Sequence, residues 1–280
     1  MHRFTAMRFL YFFVDNLCQK CGIMITLSPE GIYNMHNKSS VFVDTAAVKL
    51  GIVAVIASRK DLRKALRRPN IAEIYEWRVD RIRGKRTIES IERLNLLGKK
   101  IILTVRDSSE GGQTTFKGEN DLERQIARQQ LIRRYLYLAW MVDIEINYAV
   151  RFRKLIVEIQ RMGIRVNFSF HVLEPTPFKI MKLSLDWFIQ VFELLCSRDD
   201  VFKIAVVIED PEIMRLFSRY IYRLMKKFPR RIAPMPIGEK YGRRLRLEYA
   251  RRGAALVYCC FDGVAVVSGQ WPVAEFRQKL

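Results

Sequence analysis

Lys203 sits inside the apolar run Val201-Phe-Lys203-Ile-Ala-Val-Val-Ile208, where an ammonium group costs heavily in desolvation unless it is paired or neutralised. An unprotonated amine is a nucleophile. It condenses with a ketone or aldehyde, and the iminium so formed makes a neighbouring C–H bond acidic enough for a histidine to deprotonate. A histidine stands where such a base is needed: in Val166-Asn-Phe-Ser169-Phe-His171 the period of two puts Ser169 and His171 on one face at the end of the run. His171 is the only histidine beyond residue 50. Two plainer readings stand beside this one, an ion pair between Lys203 and a strand neighbour such as Glu145, and a structural histidine.

Other runs carry charge on one side. The alternation groups Glu76, Arg78 and Asp80 in Tyr75-Glu76-Trp77-Arg78-Val79-Asp80, and Asp143 with Glu145 further on. Arg106 closes Leu103-Thr-Val-Arg106 and leads into Asp107-Ser-Ser-Glu110-Gly111-Gly112, where two glycines allow turns that other residues resist. Such faces serve a functional pocket or an internal ion-pair network.

The elements that must position these groups follow a regular beat of short apolar runs and longer charged stretches, the signature of a parallel sheet with crossover helices. Strands are predicted at 51–57, 73–79, 100–105, 141–146, 164–171, 201–208, 232–237 and 254–259, with helices near 60–68, 87–97, 121–139, 148–162, 180–196, 210–228 and 240–252. Pro272 suits the first turn of a last short helix. Eight such units over about 230 residues match a (β/α)8 TIM barrel, in which catalytic groups gather at the C-terminal ends of the strands. Val55-Ile-Ala-Ser58-Arg59 leads straight into a charged helix without a glycine-rich phosphate fingerprint, which argues against a dinucleotide fold. The barrel is therefore expected over 51–280, preceded by an additional N-terminal segment, 1–50, read as an extension or hairpin with partial disorder.

Composition bounds the function more loosely. Of the 280 residues, 49 are Lys or Arg and 29 are Asp or Glu, a net charge of +20 that favours anionic partners. Basic runs such as 59–68 and 226–231 raise the competing idea of a nucleic-acid-binding barrel, but both look like outer helix faces. Cys18-Gln-Lys-Cys21 has the spacing of half a zinc site with nothing to complete it. No run approaches the ~20 apolar residues of a membrane span, and the expectation is a soluble cytoplasmic protein.

Taken in order, Glu76-Trp77-Arg78-Val79-Asp80, Arg106 with Glu110-Gly111-Gly112, Ser169-Phe170-His171, Lys203-Ile204-Ala205 and Gly269-Gln270 resemble the motifs of type I 3-dehydroquinate dehydratases over roughly residues 50–280. The resemblance implies a carbon–oxygen lyase of the shikimate pathway to aromatic amino acids, removing water from 3-dehydroquinate through a Schiff base without metal or diffusible cofactor. It implies Lys203 as the imine-forming lysine, His171 as the base that later protonates the leaving hydroxyl, and Glu110 as the carboxylate assisting it. Glu76, Arg78 and Arg106 would orient the substrate. Arg246 would hold its carboxylate, with Arg243 and Arg244 competing for that role, and Gln270 with Ser268 would close the loop over it. A homodimer is implied as well, and nucleic acid is not.

The match departs from the family at four places. Val266 and Leu245 stand where serines are expected, Val172-Leu173 replace Asp-Phe after the histidine, the loop before Gly242 is one residue longer, and the N-terminal segment exceeds the usual lead-in. Another Schiff-base lyase or aldolase would use the same lysine with a different substrate wall.

Overall fold

The computed structural model describes residues 50–113, 120–261 and 265–280. The N-terminal extension and the Cys18/Cys21 pair lie outside the described residues. Eight strands alternate with helices: β1 (Gly51–Ile56), α1 (Arg59–Arg67), β2 (Ile74–Arg78), α2 (Lys85–Leu96), β3 (Lys100–Thr104), α3 (Asp121–Tyr135), β4 (Met141–Glu145), α4 (Ile146–Ala149), α5 (Arg153–Arg161), β5 (Arg165–Val172), α6 (Phe178–Leu195), β6 (Val201–Val207), α7 (Pro211–Lys227), β7 (Ile232–Ile237), α8 (Gly242–Arg251), β8 (Leu256–Cys259) and α9 (Val273–Lys279). All neighbouring pairs from β8 through β1 to β7 are parallel. At the remaining seam the Ala255 N–H donates to Ile232 O at 2.8 Å, leaving a nearly closed TIM barrel. Among the described residues no helix is long and apolar enough to cross a membrane.

Alternation along each strand builds two cores. Outward residues such as Tyr75, Trp77, Phe168, Phe202 and Ile204 pack under the helices, while Val53, Ile74, Ile102, Met141, Val201 and Leu256 fill the barrel interior. The inner row of several strands changes chemistry along its length: Ile74 gives way to Glu76 and Arg78, Ile102 to Thr104 and Arg106, Met141 to Asp143 and Glu145, Val201 to Lys203. Apolar side chains plug the N-terminal end, so the charged ones are confined to the C-terminal end. Register then aligns them, with Asp143 opposite Asn167 and Ser169 opposite Lys203.

Three expected elements differ. The helix at 148–162 is broken into α4 and α5, with Tyr148 and Phe152 both packed on the Arg128 guanidinium at 5.2 and 5.3 Å. The 121–139 stretch leaves the α-helix at Tyr135 and ends in a 3-10 turn. Pro272 caps α9 from just outside, with extended backbone, instead of occupying its first turn.

Candidate active site

Polar side chains from six strands and the segments that follow them, with Val55 of β1, surround a cavity of about 240 Å³ at the C-terminal end of the barrel. Lys203 enters it from β6 and is only 6% exposed. Its Nζ lies 3.2 Å from Asp143 Oδ2 and 3.7 Å from Glu76 Oε1, so the lysine is indeed paired, but not with Glu145. That carboxylate is taken by Arg106 at 3.2 Å and by Arg128. Asp143 is the hub: besides Lys203 it binds Arg106 at 2.8 Å, the Ser169 hydroxyl at 2.7 Å and the Asn167 amide at 2.8 Å. Although burial opposes its charge, Arg106 and Lys203 hold its carboxyl well below the usual range.

His171, from the end of β5, places Nδ1 2.8 Å from Glu110 Oε2. A proton on Nδ1 satisfies that carboxylate and leaves the Nε2 lone pair free to act as a base. Burial, then Arg106 and Lys203, push the imidazole pKa well down, which keeps the ring neutral. Glu110 is raised by burial and is steadied by the Asn147 amide. Its loop depends on backbone that no side chain would permit: Gly111 has φ +80°, and a Cβ on Gly112 would fall 2.2 Å from Arg106 O. Arg106 itself reaches Asp143, Glu145 and the Ser169 hydroxyl. Its fork is thus already spent on the protein, and the same is true of Arg78, bound bidentately by Asp80 at 2.8 and 2.7 Å. Glu76 accepts from Thr104 at 2.9 Å.

The β7–β8 side is different. Arg246 projects inward from α8, and its acceptors among the described residues are both backbone, Pro236 O at 3.0 Å and Tyr258 O at 3.1 Å. Burial lowers its pKa to about 10, so it remains a guanidinium at neutral pH. Close approach of α8 to the last loop rests on two glycines, since a Cβ on Gly269 would meet Gly238 O at 2.6 Å and Gly242 Cα at 3.1 Å. Arg243 and Arg244 are exposed on the outer face of α8 and line a separate open groove of about 690 Å³ with Lys240, Arg251, Arg252 and Lys279. Gln270 borders the cavity and its Oε1 accepts from the N–H groups of Val266 and Val267 at 2.9 and 3.3 Å. Ser268 does not line the cavity; it is exposed, and its carbonyl accepts the Gly238 N–H at 3.3 Å. The loop turns that serine outward and presents Val266 and Val267 instead.

Sequence reasoning left Tyr258, Asn167 and Arg81 out of the site. Tyr258 reads as one more apolar residue of β8, and Asn167 as a strand residue too early in its run. Arg81 follows the charged Glu76–Asp80 face but falls off its period; it lines the cavity with Nε buried and without a hydrogen-bond partner among the described residues.

A sequence model described as type I 3-dehydroquinase matches residues 51–280. Among solved structures, a 3-dehydroquinate dehydratase from Geobacillus kaustophilus is 23% identical, with a TM-score of 0.67 over 83% of this chain and 90% of its own. One from Aquifex aeolicus is 23% identical, with a TM-score of 0.63 over 82% of this chain and 97% of its own. A type I enzyme from Clostridium difficile, solved with covalently modified comenic acid, is 19% identical, with a TM-score of 0.65 over 82% and 90% of the two chains. No curated protein sequence matches the chain.

Proposed function

The chain belongs to the type I 3-dehydroquinase family, and from that premise we propose that it dehydrates 3-dehydroquinate to 3-dehydroshikimate through an imine on Lys203, as a step of the shikimate pathway. The observation that carries this reading is the joint enclosure, in one cavity, of a buried lysine, a buried histidine braced by a carboxylate, and a guanidinium that meets no carboxylate among the described residues. A small hydroxylated keto acid needs those three groups at once.

The steps balance without another reactant. The ammonium of Lys203 and the C3 ketone become a protonated imine and water, two of the ammonium protons leaving in the water. Nε2 of His171 then takes the C2 proton, and the electron pair moves into the C2–C3 bond while the iminium nitrogen becomes the enamine nitrogen. The enamine pair returns to form the C1–C2 double bond, and the C1 hydroxyl departs as water with the proton that His171 carries. Hydrolysis of the conjugated imine releases product and restores Lys203. Glu110 holds the Nδ1 proton of His171 and favours the imidazolium formed midway. Arg246 fixes the substrate carboxylate at the far wall, and Gln270 keeps the loop strand above it in place.

Incubation of the purified chain with 3-dehydroquinate should give an enone absorbing in the near ultraviolet, and borohydride added during turnover should leave a reduced adduct on Lys203, located by mass spectrometry. Folded protein that does neither would sink the proposal.

A further inference from the structure

We infer that Tyr258 is the positioning residue for Lys203, with its ring face holding the nitrogen in place after condensation has removed the protons that its carboxylate partners bind. The inference rests on the imine-forming role proposed for Lys203. Nζ lies 4.2 Å from the centroid of the Tyr258 ring, well inside the about 6 Å over which a cation is drawn to an aromatic face. The ring is itself fixed. Its hydroxyl accepts from the Asn167 amide at 3.0 Å, that same nitrogen donates to Asp143 Oδ2 at 2.8 Å, and Asp143 Oδ2 is the oxygen 3.2 Å from Nζ. Lysine, aspartate, asparagine and tyrosine thus close a circuit around the reacting nitrogen. The Tyr258 carbonyl meanwhile accepts from Arg246 Nη1 at 3.1 Å, so one residue of β8 sets both the amine and the guanidinium that must grip opposite parts of the substrate.

The ring does something the carboxylates cannot do. As an ammonium, Lys203 has three N–H donors to share between Asp143 and Glu76; as an iminium it has one. At least one carboxylate contact is therefore lost on condensation, whereas attraction to the ring depends on charge and survives the change. Burial, with Glu76 and Asp143 nearby, raises the phenol pKa well above its ordinary value, so the hydroxyl stays neutral throughout.

Tyr258→Phe keeps the ring and Tyr258→Leu removes it. Leucine should lower kcat about 30-fold with KM changed less than about threefold, matching the ~2 kcal/mol of a desolvated cation–π contact. Phenylalanine should rescue kcat to within about threefold of the parent. Reductive trapping on Lys203 should follow the same order, both with 3-dehydroquinate and with acetaldehyde as a generic carbonyl probe. Trapping by acetaldehyde alone would refute the dehydroquinate reading while leaving the comparison between variants intact. Should the leucine variant fail to fold, progressively fluorinated phenylalanines at 258 weaken the ring's charge distribution at nearly constant shape, and trapping should fall with each added fluorine. Parental kcat and trapping in folded Tyr258→Leu, equal damage from Phe and Leu, or a flat fluorination series would each overturn the assignment.

Discussion

The two walls of the cavity are built on opposite principles. On the β2–β6 wall the charges already answer one another: Arg78 with Asp80, Arg106 with Asp143 and Glu145, Lys203 with Asp143 and Glu76, His171 with Glu110. On the β7–β8 wall the acceptors of Arg246 among the described residues are carbonyls, and Val266, Val267, Met235 and Ile237 line the same side of the cavity with apolar groups. A buried network with its partners in place needs no substrate to hold its shape, which suits groups that must be preorganised for chemistry. A buried guanidinium lacking a counter-charge is under-satisfied until an anion arrives, which suits recognition. The division teaches that damage to the paired wall, and to the Tyr258 ring that meets Lys203 from β8, should appear in kcat, and damage to the anion grip of Arg246 in KM.

The sharpest way to break that division is to remove Lys203. Lys203→Ala should lower kcat by at least about 10⁴-fold and abolish the borohydride adduct, because among the described residues lining the cavity no other carries an amine that can form the imine. A residual adduct elsewhere, seen by peptide mapping, would move the chemistry off this wall. On the other wall, Arg246→Leu should raise KM about 100-fold while kcat falls far less, as expected when a buried charge-assisted contact is lost. Arg243→Leu and Arg244→Leu, on the outer face of α8, should leave both constants unchanged. An effect of those two equal to that of Arg246 would contradict the inward placement of the anion site.

How much of this was legible in the sequence follows the same division. The paired wall could be read from strand periodicity, because Glu76, Arg78, Ser169, His171 and Lys203 each interrupt an apolar run at the inward phase. What periodicity could not supply was the pairing, since Asp143 collects partners from β3, β5 and β6 and only register brings them together. Glu145 therefore stands in the sequence as one possible ion-pair partner of Lys203, although it belongs to Arg106 and Arg128. The recognition wall was harder, because loops have no period. Arg243, Arg244 and Arg246 could not be ranked until α8 showed which faced inward, and Ser268 reads as a cavity hydroxyl until the turn at Gly269 points it outward. Tyr258 was hidden for the opposite reason, since a tyrosine in an apolar strand looks like core.

pH tests the paired wall with a smaller effect. Burial, Arg106 and Lys203 depress the His171 pKa, so the imidazole stays unprotonated, and able to act as a base, below the ordinary histidine value. The acid limb of kcat/KM should accordingly lie below pH 6.5. Arg106→Gln removes the largest of the neighbouring positive charges that depress the ring, so the limb should move upward. A limb at or above the unperturbed value in the parent protein would mean that His171 is charged at rest and does not start the reaction as a base.

The mildest change sharpens the recognition wall at Val266, the position where the family resemblance leads one to expect serine. Its N–H is already held by Gln270 Oε1 at 2.9 Å, so the backbone should keep its course when the side chain is exchanged. Val266→Ser then trades an apolar contact at the cavity rim for a hydroxyl that a hydroxylated substrate can use. One such hydrogen bond is worth about 1 kcal/mol net, so KM should fall about fivefold with kcat unchanged. If KM rises instead, the two methyl groups are needed to exclude water over the substrate, and the apolar character of this wall is part of recognition and not a gap in it.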